Sequence, residues 1–206
     1  LIDNNNEAYF YDLNTKVNYR LNQKNNIFLS AYFGKDVFGI NNSFINKYGN
    51  AVTNLRWNHL FSDKLFSNLS LIYSDYFYGL ILDFVGFEWD SGITNINFKY
   101  DFNHYLKDNF RLSYGVNNIY TKFNAGEIFP NRDDSGIIPF KLTEKYANEF
   151  AFYLEADHDI SDKFSLKYGL RFSNFSRLGQ DELNTYENDN PLSLIHISEP
   201  TRLRSI

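Results

Sequence analysis

The sequence of 206 residues contains neither cysteine nor methionine. Without cysteine, the chain has no disulfide framework, no thiolate metal site and no cysteine nucleophile. It has no apolar run that approaches the roughly 20 residues of a transmembrane helix. It also opens without a signal segment of charged, then apolar, then small residues. We therefore expect either that the mature N-terminus was cut elsewhere or that the sequence begins inside a longer protein.

Aromatic residues are abundant in a chain that is polar on average. There are 21 Phe and 16 Tyr, aromatic residues make up 19% of the chain, and the mean hydropathy is −0.44. The net charge of −5 argues against a nucleic-acid partner. A membrane β-barrel needs this combination, because every second residue of its strands faces lipid and the others face a wet interior.

The dominant spacing of apolar residues is two. Between Tyr11 and Leu21 they alternate with polar residues, a pattern that separates into two faces only in a strand. Polar turns such as Ser62-Asp63-Lys64 follow such segments, and the chain divides into four predicted hairpins. The same alternation recurs in segments that start near Ile27, Ala51, Leu65, Ile96, Phe110, Phe150 and Phe164.

The connections between the hairpins are predicted to be long loops, over residues 35–49, 77–92 and 124–146. Short turns at one end and long loops at the other are typical of outer-membrane barrels. The sequence therefore predicts an all-β fold, a partial antiparallel transmembrane β-barrel with about eight meander strands of a larger barrel. Its expected location is the outer membrane of a Gram-negative bacterium, in contact with outer-membrane lipid.

Ionic residues fall on the face opposite the aromatic ones. Each Arg or Lys near the lipid midplane would cost about 2–4 kcal/mol, so a shared face for these residues predicts a hydrated lumen. The interior of a closed eight-stranded barrel is just filled by side chains, so this many long charged residues favours a wider barrel. The predicted lumen-facing polar residues are Lys16, Arg20, Arg56, Lys99, Asp101, Arg111, Glu155, Lys167 and Arg171.

Two further groups of residues are candidates for a role at the membrane or toward a ligand. Aromatic residues near strand ends predict girdles at the two membrane interfaces. In the predicted loop 77–92, an aromatic residue with carboxylates could stack on and hydrogen-bond a sugar or a chelate. The girdle residues are Tyr19, Trp57, Tyr73, Tyr105 and Tyr120, and the candidate ligand-contacting residues are Asp83, Glu88, Trp89 and Asp90.

Catalytic and metal-binding signatures are absent from the sequence. No nucleophile, base and orienting group form a plausible set, so we do not expect an enzyme or a cofactor. His59, His104 and His158 lie near predicted turns but too far apart for ligand spacing, and we interpret them as interfacial polar residues. Residues 131–136 lack the spacing and the closing Glu of a calcium loop.

The C-terminal tail breaks the strand pattern. The segment from Leu192 to Arg202 resembles the in-frame translation of a transposon-based sequencing adapter. We therefore divide the chain into a partial outer-membrane barrel, residues 1–191, and a non-native tail, residues 192–206. A native amphipathic tail is the alternative.

Several segments resemble the barrel of TonB-dependent outer-membrane receptors. The run from Gly49 to Asn68 carries most of the resemblance, and the segments Phe33 to Gly39, Phe87-Glu88-Trp89 and Tyr168 to Arg171 fit the same family. The resemblance spans roughly residues 8–178. It implies a barrel of about 22 strands that is closed by an N-terminal plug domain.

The same resemblance implies a function and partners. Members of this family import a bulky nutrient, a siderophore, vitamin or glycan, by ligand-gated active transport. A periplasmic energy-coupling protein acts through the plug, which this sequence does not contain, and a surface lipoprotein is a further partner. The main alternative is a passive porin or other barrel without energy coupling. An outer-membrane enzyme would need a catalytic cluster at its rim, and a soluble lipocalin-like binder would need its aromatic residues inside.

Overall fold

The computed structural model describes residues 6–179, 181–187 and 190–197. Nearly all of these residues belong to strands, and a 3-10 turn occupies Asp83–Val85. The part of the chain that the structure describes contains no helix that is long and apolar enough to cross a membrane. The strands of the main sheet are β1 (Glu7–Asn22), β2 (Asn25–Ile40), β3 (Phe44–Ser62), β4 (Leu65–Leu82), β5 (Phe87–Lys107), β6 (Phe110–Pro130), β7 (Phe140–Lys141), β8 (Lys145–Ser161) and β9 (Phe164–Leu178).

The main sheet is an antiparallel meander. The long strands pair in the order β1-β2-β3-β4-β5-β6-β8-β9, and the two-residue strand β7 pairs with β6. Within the described residues β1 and β9 each have one neighbour, so the sheet is open. This confirms the predicted all-β fold and its eight meander strands.

The strands are joined very differently at the two ends of the sheet. Turns of two residues follow β1, β3, β5 and β8, at residues 23–24, 63–64, 108–109 and 162–163. Asp, Asn and Lys supply most of these positions, as tight hairpin turns require. We call the end of the sheet that carries these turns the turn end, and the opposite end of the strands the loop end.

Two of the three long loops predicted at the loop end, residues 35–49 and 77–92, are mostly strand. Strands β2 and β3 continue to Ile40 and from Phe44, so residues 41–43 alone connect them. Strands β4 and β5 are likewise joined by residues 83–86. Only the connection from β6 to β8 is long, and it contains β7. The prediction was wrong here because the cross-strand hydrogen bonds continue past the point where the aromatic alternation stops.

The C-terminal segment forms a separate small sheet. Strands β10 (Asp181–Glu187) and β11 (Asn190–Ile197) pair with each other in a two-stranded sheet distinct from the main one. The predicted boundary at residue 191 falls inside β11, and residues 198–206 lie outside the described residues. The adapter interpretation of this segment stays a prediction.

A single-layer sheet has no interior in which to bury its large side chains. The buried hydrophobic residues of the described part are small or few, namely Val37, Ala151 and Ala156. By contrast, Leu170 is 82% and Phe172 52% exposed within this sheet. An apolar surface of this extent requires a covering, and lipid is the covering available to a barrel strand.

Candidate functional site

The register of the sheet sorts its side chains into two faces. Residues paired across neighbouring antiparallel strands lie on the same side, so each cross-strand row can be followed through the sheet. One row joins Leu55, Leu71 and Phe98, and the adjacent row joins Arg56, Ser70 and Lys99. We name the two sides the Leu71 face and the Lys99 face.

All nine residues predicted to face a lumen lie on the Lys99 face. The row through Asp101 continues to Tyr153 and Arg171, and the rows beside it carry Arg111, Glu155 and Lys167. Toward the β1 edge of the sheet, the same face continues through Arg56 to Arg20 and Lys16. The predicted common face thus agrees with the register.

The ionic groups of the Lys99 face are held by one another. Lys167 Nζ lies 2.8 Å from Glu155 Oε1 and 3.9 Å from Asp157 Oδ1, and Asp157 also pairs with Arg111. Lys99 Nζ lies 3.0 Å from Asp101 Oδ2. Such pairs offset the cost of placing charges on a surface that a barrel wall partly encloses.

Aromatic groups on the Lys99 face hold charged groups in place. The Arg56 guanidinium lies 4.8 Å from the centre of the Phe28 ring. The Tyr32 hydroxyl donates a hydrogen bond to Asp12 Oδ1 at 2.7 Å. Tyr105 pairs with Arg111 in the register, and the guanidinium lies 5.9 Å from its ring centre.

This position of Tyr105 corrects its assignment to a girdle. Its ring stacks on Phe66 with the centroids 6.2 Å apart, and both side chains belong to the Lys99 face. Two residues on, a register irregularity leads into the turn. Tyr105 therefore contacts partners on the Lys99 face and not on the face that carries the other four girdle residues.

The other four girdle residues lie on the Leu71 face. Tyr19 and Trp57 share one row, and Tyr73 and Tyr120 share another. The first row meets β4 at Leu69, only four residues from Tyr73, which is about 13 Å along the strand. This is less than the roughly 25 Å height of a lipid-facing band, so the two rows do not mark its two edges.

Near the turn end, a continuous aromatic cluster covers the Leu71 face. His59 contacts Trp57 and Phe61, with ring centroids 5.2 and 4.4 Å apart. The cluster extends from Phe61 through Phe102 to Tyr114, which stack at 6.2 and 5.2 Å. Phe61, Phe102 and Tyr114 were not predicted as girdle residues, although their alternation with polar residues could have indicated that they share this face.

The apolar band crosses the sheet obliquely. On β9 the last aromatic residue of the band toward the loop end is Phe172. The cross-strand row through Phe172 runs across the whole sheet and reaches β1 at Tyr19. On β1, however, apolar residues continue on the same face to Tyr9. A shift of roughly one residue per strand is the shear of barrels whose strands tilt by about 36°. The band is therefore level when the sheet is wrapped as part of a tilted barrel.

Beyond the band, toward the loop end, the character of the two faces is exchanged. Charged side chains now lie on the Leu71 face: Lys47 Nζ lies 2.8 Å from Glu88 Oε1 and 3.6 Å from Asp90 Oδ1. Partial burial disfavours the charged ammonium, but the hydrogen bond to Glu88 and the charge of Asp90 raise the pKa of Lys47. The exchange is incomplete, since Phe77 stays on this face, over Gly49.

Aromatic residues take the Lys99 face in the same region. They include Tyr48 and Tyr78, which pair directly, and Trp89, whose ring meets that of Tyr78 edge to face at 5.7 Å. Phe38 and Phe44 lie beside them, with ring centroids 6.4 Å apart. The upper limit of the lipid band is therefore marked by a change of chemistry on both sides of the sheet.

The four candidate ligand-contacting residues are split by this geometry. Glu88 and Asp90 point to the Leu71 face with Lys47, whereas Trp89 points to the Lys99 face. Asp83 lies in the 3-10 turn, where its carboxylate accepts a hydrogen bond of 3.0 Å from Asn131 Nδ2. The four do not form one loop site, because three of them are consecutive strand residues that alternate in direction.

No group of three or more His, Asp or Glu side chains in the described part of the chain is placed to hold a metal ion. Two His residues of the turn end, His59 and His158, instead pack among aromatic rings. His158, for example, lies 5.1 Å from the Phe110 ring in an edge-to-face contact.

Open meander, two-faced strands and an oblique apolar band together define part of a transmembrane β-barrel. No protein-family model and no curated protein matches the sequence. Among solved structures the chain is similar to the copper transporter OprC, with a TM-score of 0.63 and 12% identity over 84% of this chain and 29% of that one.

Two further structures are similar to the chain. The outer membrane transporter YddB from Escherichia coli gives a TM-score of 0.56 at 13% identity, covering 94% of this chain and 30% of that one. BauA, the ferric preacinetobactin receptor from Acinetobacter baumannii, gives 0.61 at 12%, covering 95% and 36%. The chain thus has the fold of an outer-membrane barrel of Gram-negative bacteria, in agreement with the resemblance to TonB-dependent receptors, and spans about a third of each structure.

Proposed function

We propose that the chain is part of an outer-membrane receptor that imports a bulky nutrient by ligand-gated active transport. The exchange of faces at the loop end carries this proposal. A barrel that ended at the membrane surface would have no use for ordered strands with an aromatic interior side beyond the lipid band. A receptor that captures a ligand outside the cell needs such a surface.

The orientation follows from the lengths of the connections. The two-residue turns lie in the periplasm and the loop end outside the cell, as in other outer-membrane barrels. In the band, the Lys99 face lines the lumen, where the ion pairs around Asp157 and Asp101 form a polar wall. The Leu71 face meets lipid.

The similar structures support transport as the general role. One is named as a copper transporter and another as a receptor for ferric preacinetobactin. A siderophore, vitamin or glycan is the corresponding cargo class here. The gating element is a plug domain outside this sequence, a periplasmic energy-coupling protein drives it, and a surface lipoprotein is a candidate partner at the loop end.

Electrical conductance of the complete protein distinguishes this function from passive diffusion. The complete protein that contains this sheet is purified in detergent and inserted into planar bilayers bathed in potassium chloride. A plugged receptor is closed to ions, whereas a passive porin conducts steadily. A persistently open channel in the intact protein would replace the receptor proposal by the porin alternative.

A further inference from the structure

Five aromatic side chains form one surface on the Lys99 face of the loop end. We name it the loop-end aromatic surface, and it consists of Phe38, Phe44, Tyr48, Tyr78 and Trp89. The residues come from four consecutive strands, so backbone hydrogen bonds fix their spacing. Under the proposed function this surface lines the outer vestibule of the lumen.

The indole of Trp89 is held in a defined position. Gly126 has a φ of 148°, and a Cβ atom at this residue would collide with Nε1 of the indole. The absence of a side chain on β6 thus makes room for the ring, and the Tyr78 ring contacts it edge to face. These two contacts fix the position of the indole, and a ring whose position is fixed in advance is pre-organised for stacking on a ligand.

Tyr48 and Tyr78 add hydroxyl groups to the same surface. They are direct partners on β3 and β4, and Tyr48 is 43% exposed. The neighbouring positions of this face carry Asn46, Asn50 and Asp36. Ring faces are therefore interspersed with hydroxyl, amide and carboxylate groups that can donate and accept hydrogen bonds.

The charge of this region discriminates between classes of ligand. Lys47 and Lys122 lie on the opposite face and are paired with carboxylates. On the Lys99 face, Asp12 and Asp36 bring negative charge next to the aromatic surface, and Lys145 lies two strands away from Trp89, on β8. The carboxylates of Asp12 and Asp36 next to the aromatic surface give it poor electrostatic complementarity to an anionic iron chelate.

From this arrangement we infer that the ligand is a neutral carbohydrate, bound by the loop-end aromatic surface. The apolar face of a sugar ring stacks on an aromatic ring while its hydroxyl groups bond to the amides, carboxylates and phenols around it. The inference rests on the proposed receptor function and narrows its cargo. Glu88 and Asp90 have no part in it, because they bind Lys47 on the other face.

Titration calorimetry on the complete protein tests the inference. The probes are neutral α- and β-linked gluco- and manno-oligosaccharides, with ferric citrate as the anionic chelate. The variants are Tyr48→Ala and Trp89→Ala, and the matched control is Tyr73→Ala on the lipid-facing side. We expect saccharide binding that weakens about tenfold or more in the first two variants and is unchanged in the control.

The outcomes separate this inference from the proposed function. Binding of ferric citrate without binding of any saccharide in the panel would overturn the carbohydrate inference and leave the receptor proposal standing. Absence of binding to every probe, or saccharide binding that both variants retain, would also overturn it. Saccharide binding by a protein that conducts ions freely in bilayers would instead overturn the gated-transport proposal. Because Tyr48 is largely exposed, its variant tests the surface even if Trp89→Ala fails to fold.

Discussion

The hydroxyl of Tyr153 on β8 donates a hydrogen bond to the carboxylate of Asp101 on β5, across the whole width of β6. The residue of β6 that lies between them in the same row is Gly115. A side chain at this position would separate the two groups. The glycine therefore acts as a window through which two strands that are not neighbours bond directly.

Replacing Gly115 by alanine should destabilise the barrel. A Cβ atom there would lie 2.6 Å from the backbone oxygen of Tyr100 and 2.9 Å from Asp101 Oδ1, so the backbone itself would have to move. We expect a loss of about 1–3 kcal/mol, measured from the temperature at which the folded barrel loses its compact form in detergent. Gly136→Ala is the control, because nothing lies within 4 Å of its added Cβ. Equal melting temperatures would contradict the window role.

A second glycine window should tolerate the same change better. Gly79 lies between Lys47 and Asp90 in one row, and its added Cβ would meet Cε and Cγ of the Lys47 side chain and Oδ1 of Asp90, all of them side-chain atoms. Gly79→Ala should therefore weaken the ion pair at a cost of about 1 kcal/mol, the upper end of the range for exposed pairs, because this pair is partly buried. Lys47→Met should produce a similar loss in the same melting experiment. A loss from Gly79→Ala as large as that from Gly115→Ala would show that the side chain cannot move aside.

The stability of the barrel should respond very differently to a charge at two neighbouring residues of β4. Leu71 lies on the proposed lipid side, whereas Ile72 pairs with Asn54 and Asn97 on the proposed lumen side. Leu71→Arg should cost about 2–4 kcal/mol in a lipid bilayer, and Ile72→Arg less than about 1 kcal/mol. Equilibrium unfolding by denaturant in vesicles measures both. Equal costs for the two variants would be inconsistent with a lumen.

Glu144 should titrate below the ordinary glutamate value of 4.5. The Tyr146 hydroxyl donates to its carboxylate at 2.6 Å and Lys122 Nζ lies at 3.0 Å, and both contacts lower the pKa of Glu144. The stabilisation of this contact group is therefore present above pH 4.5 and is lost as the pH falls through the lowered pKa. Carbon NMR of labelled glutamate should place the midpoint below 4.5, and Tyr146→Phe should move it upward. A midpoint at or above 4.5 in the unmodified protein would exclude these contacts.

The alternation of apolar and polar residues was sufficient to predict most of the fold. From Tyr11 to Leu21 and in the seven later segments, assuming a strand is enough to assign the aromatic side chains to one face and the ionic side chains to the other. The two-residue turns were found for the same reason, since Asp, Asn and Lys mark them. The register then followed from the turns, because a hairpin turn fixes the pairing of both its strands.

The loop end was predicted poorly because the rule that identified strands reverses there. Lys47, Glu88 and Asp90 occupy the side that carries Leu71 lower down, and Trp89 the side that carries Lys99. When aromatic residues are expected on the same face along the whole strand, this exchange of aromatic and charged residues between the faces looks like the end of the strand. The strict alternation of Glu88, Trp89 and Asp90 was the overlooked signal.

Tyr105 was misassigned for a different reason. Its chemical type suggested a girdle, but its spacing from Lys99, Asp101 and Asn103 places it in phase with the polar residues. Position in the alternation decides the face of a strand residue, and residue type does not. The cross-strand contacts over Gly115 and Gly79 could not be predicted from the sequence, because each joins strands of two different hairpins and the short turns fix the register only within one hairpin.

Collision accessibility along β4 tests the central claim most directly. The chain has no cysteine, so single spin labels can be placed at Leu71→Cys, Ile72→Cys and Tyr78→Cys in the complete protein in vesicles. We predict that oxygen, which concentrates in lipid, relaxes the label at position 71, whereas a water-soluble nickel chelate relaxes those at 72 and 78. A label at 72 that is reached from lipid, or a label at 71 that is reached only from water, would contradict the assignment of the two faces and with it the receptor.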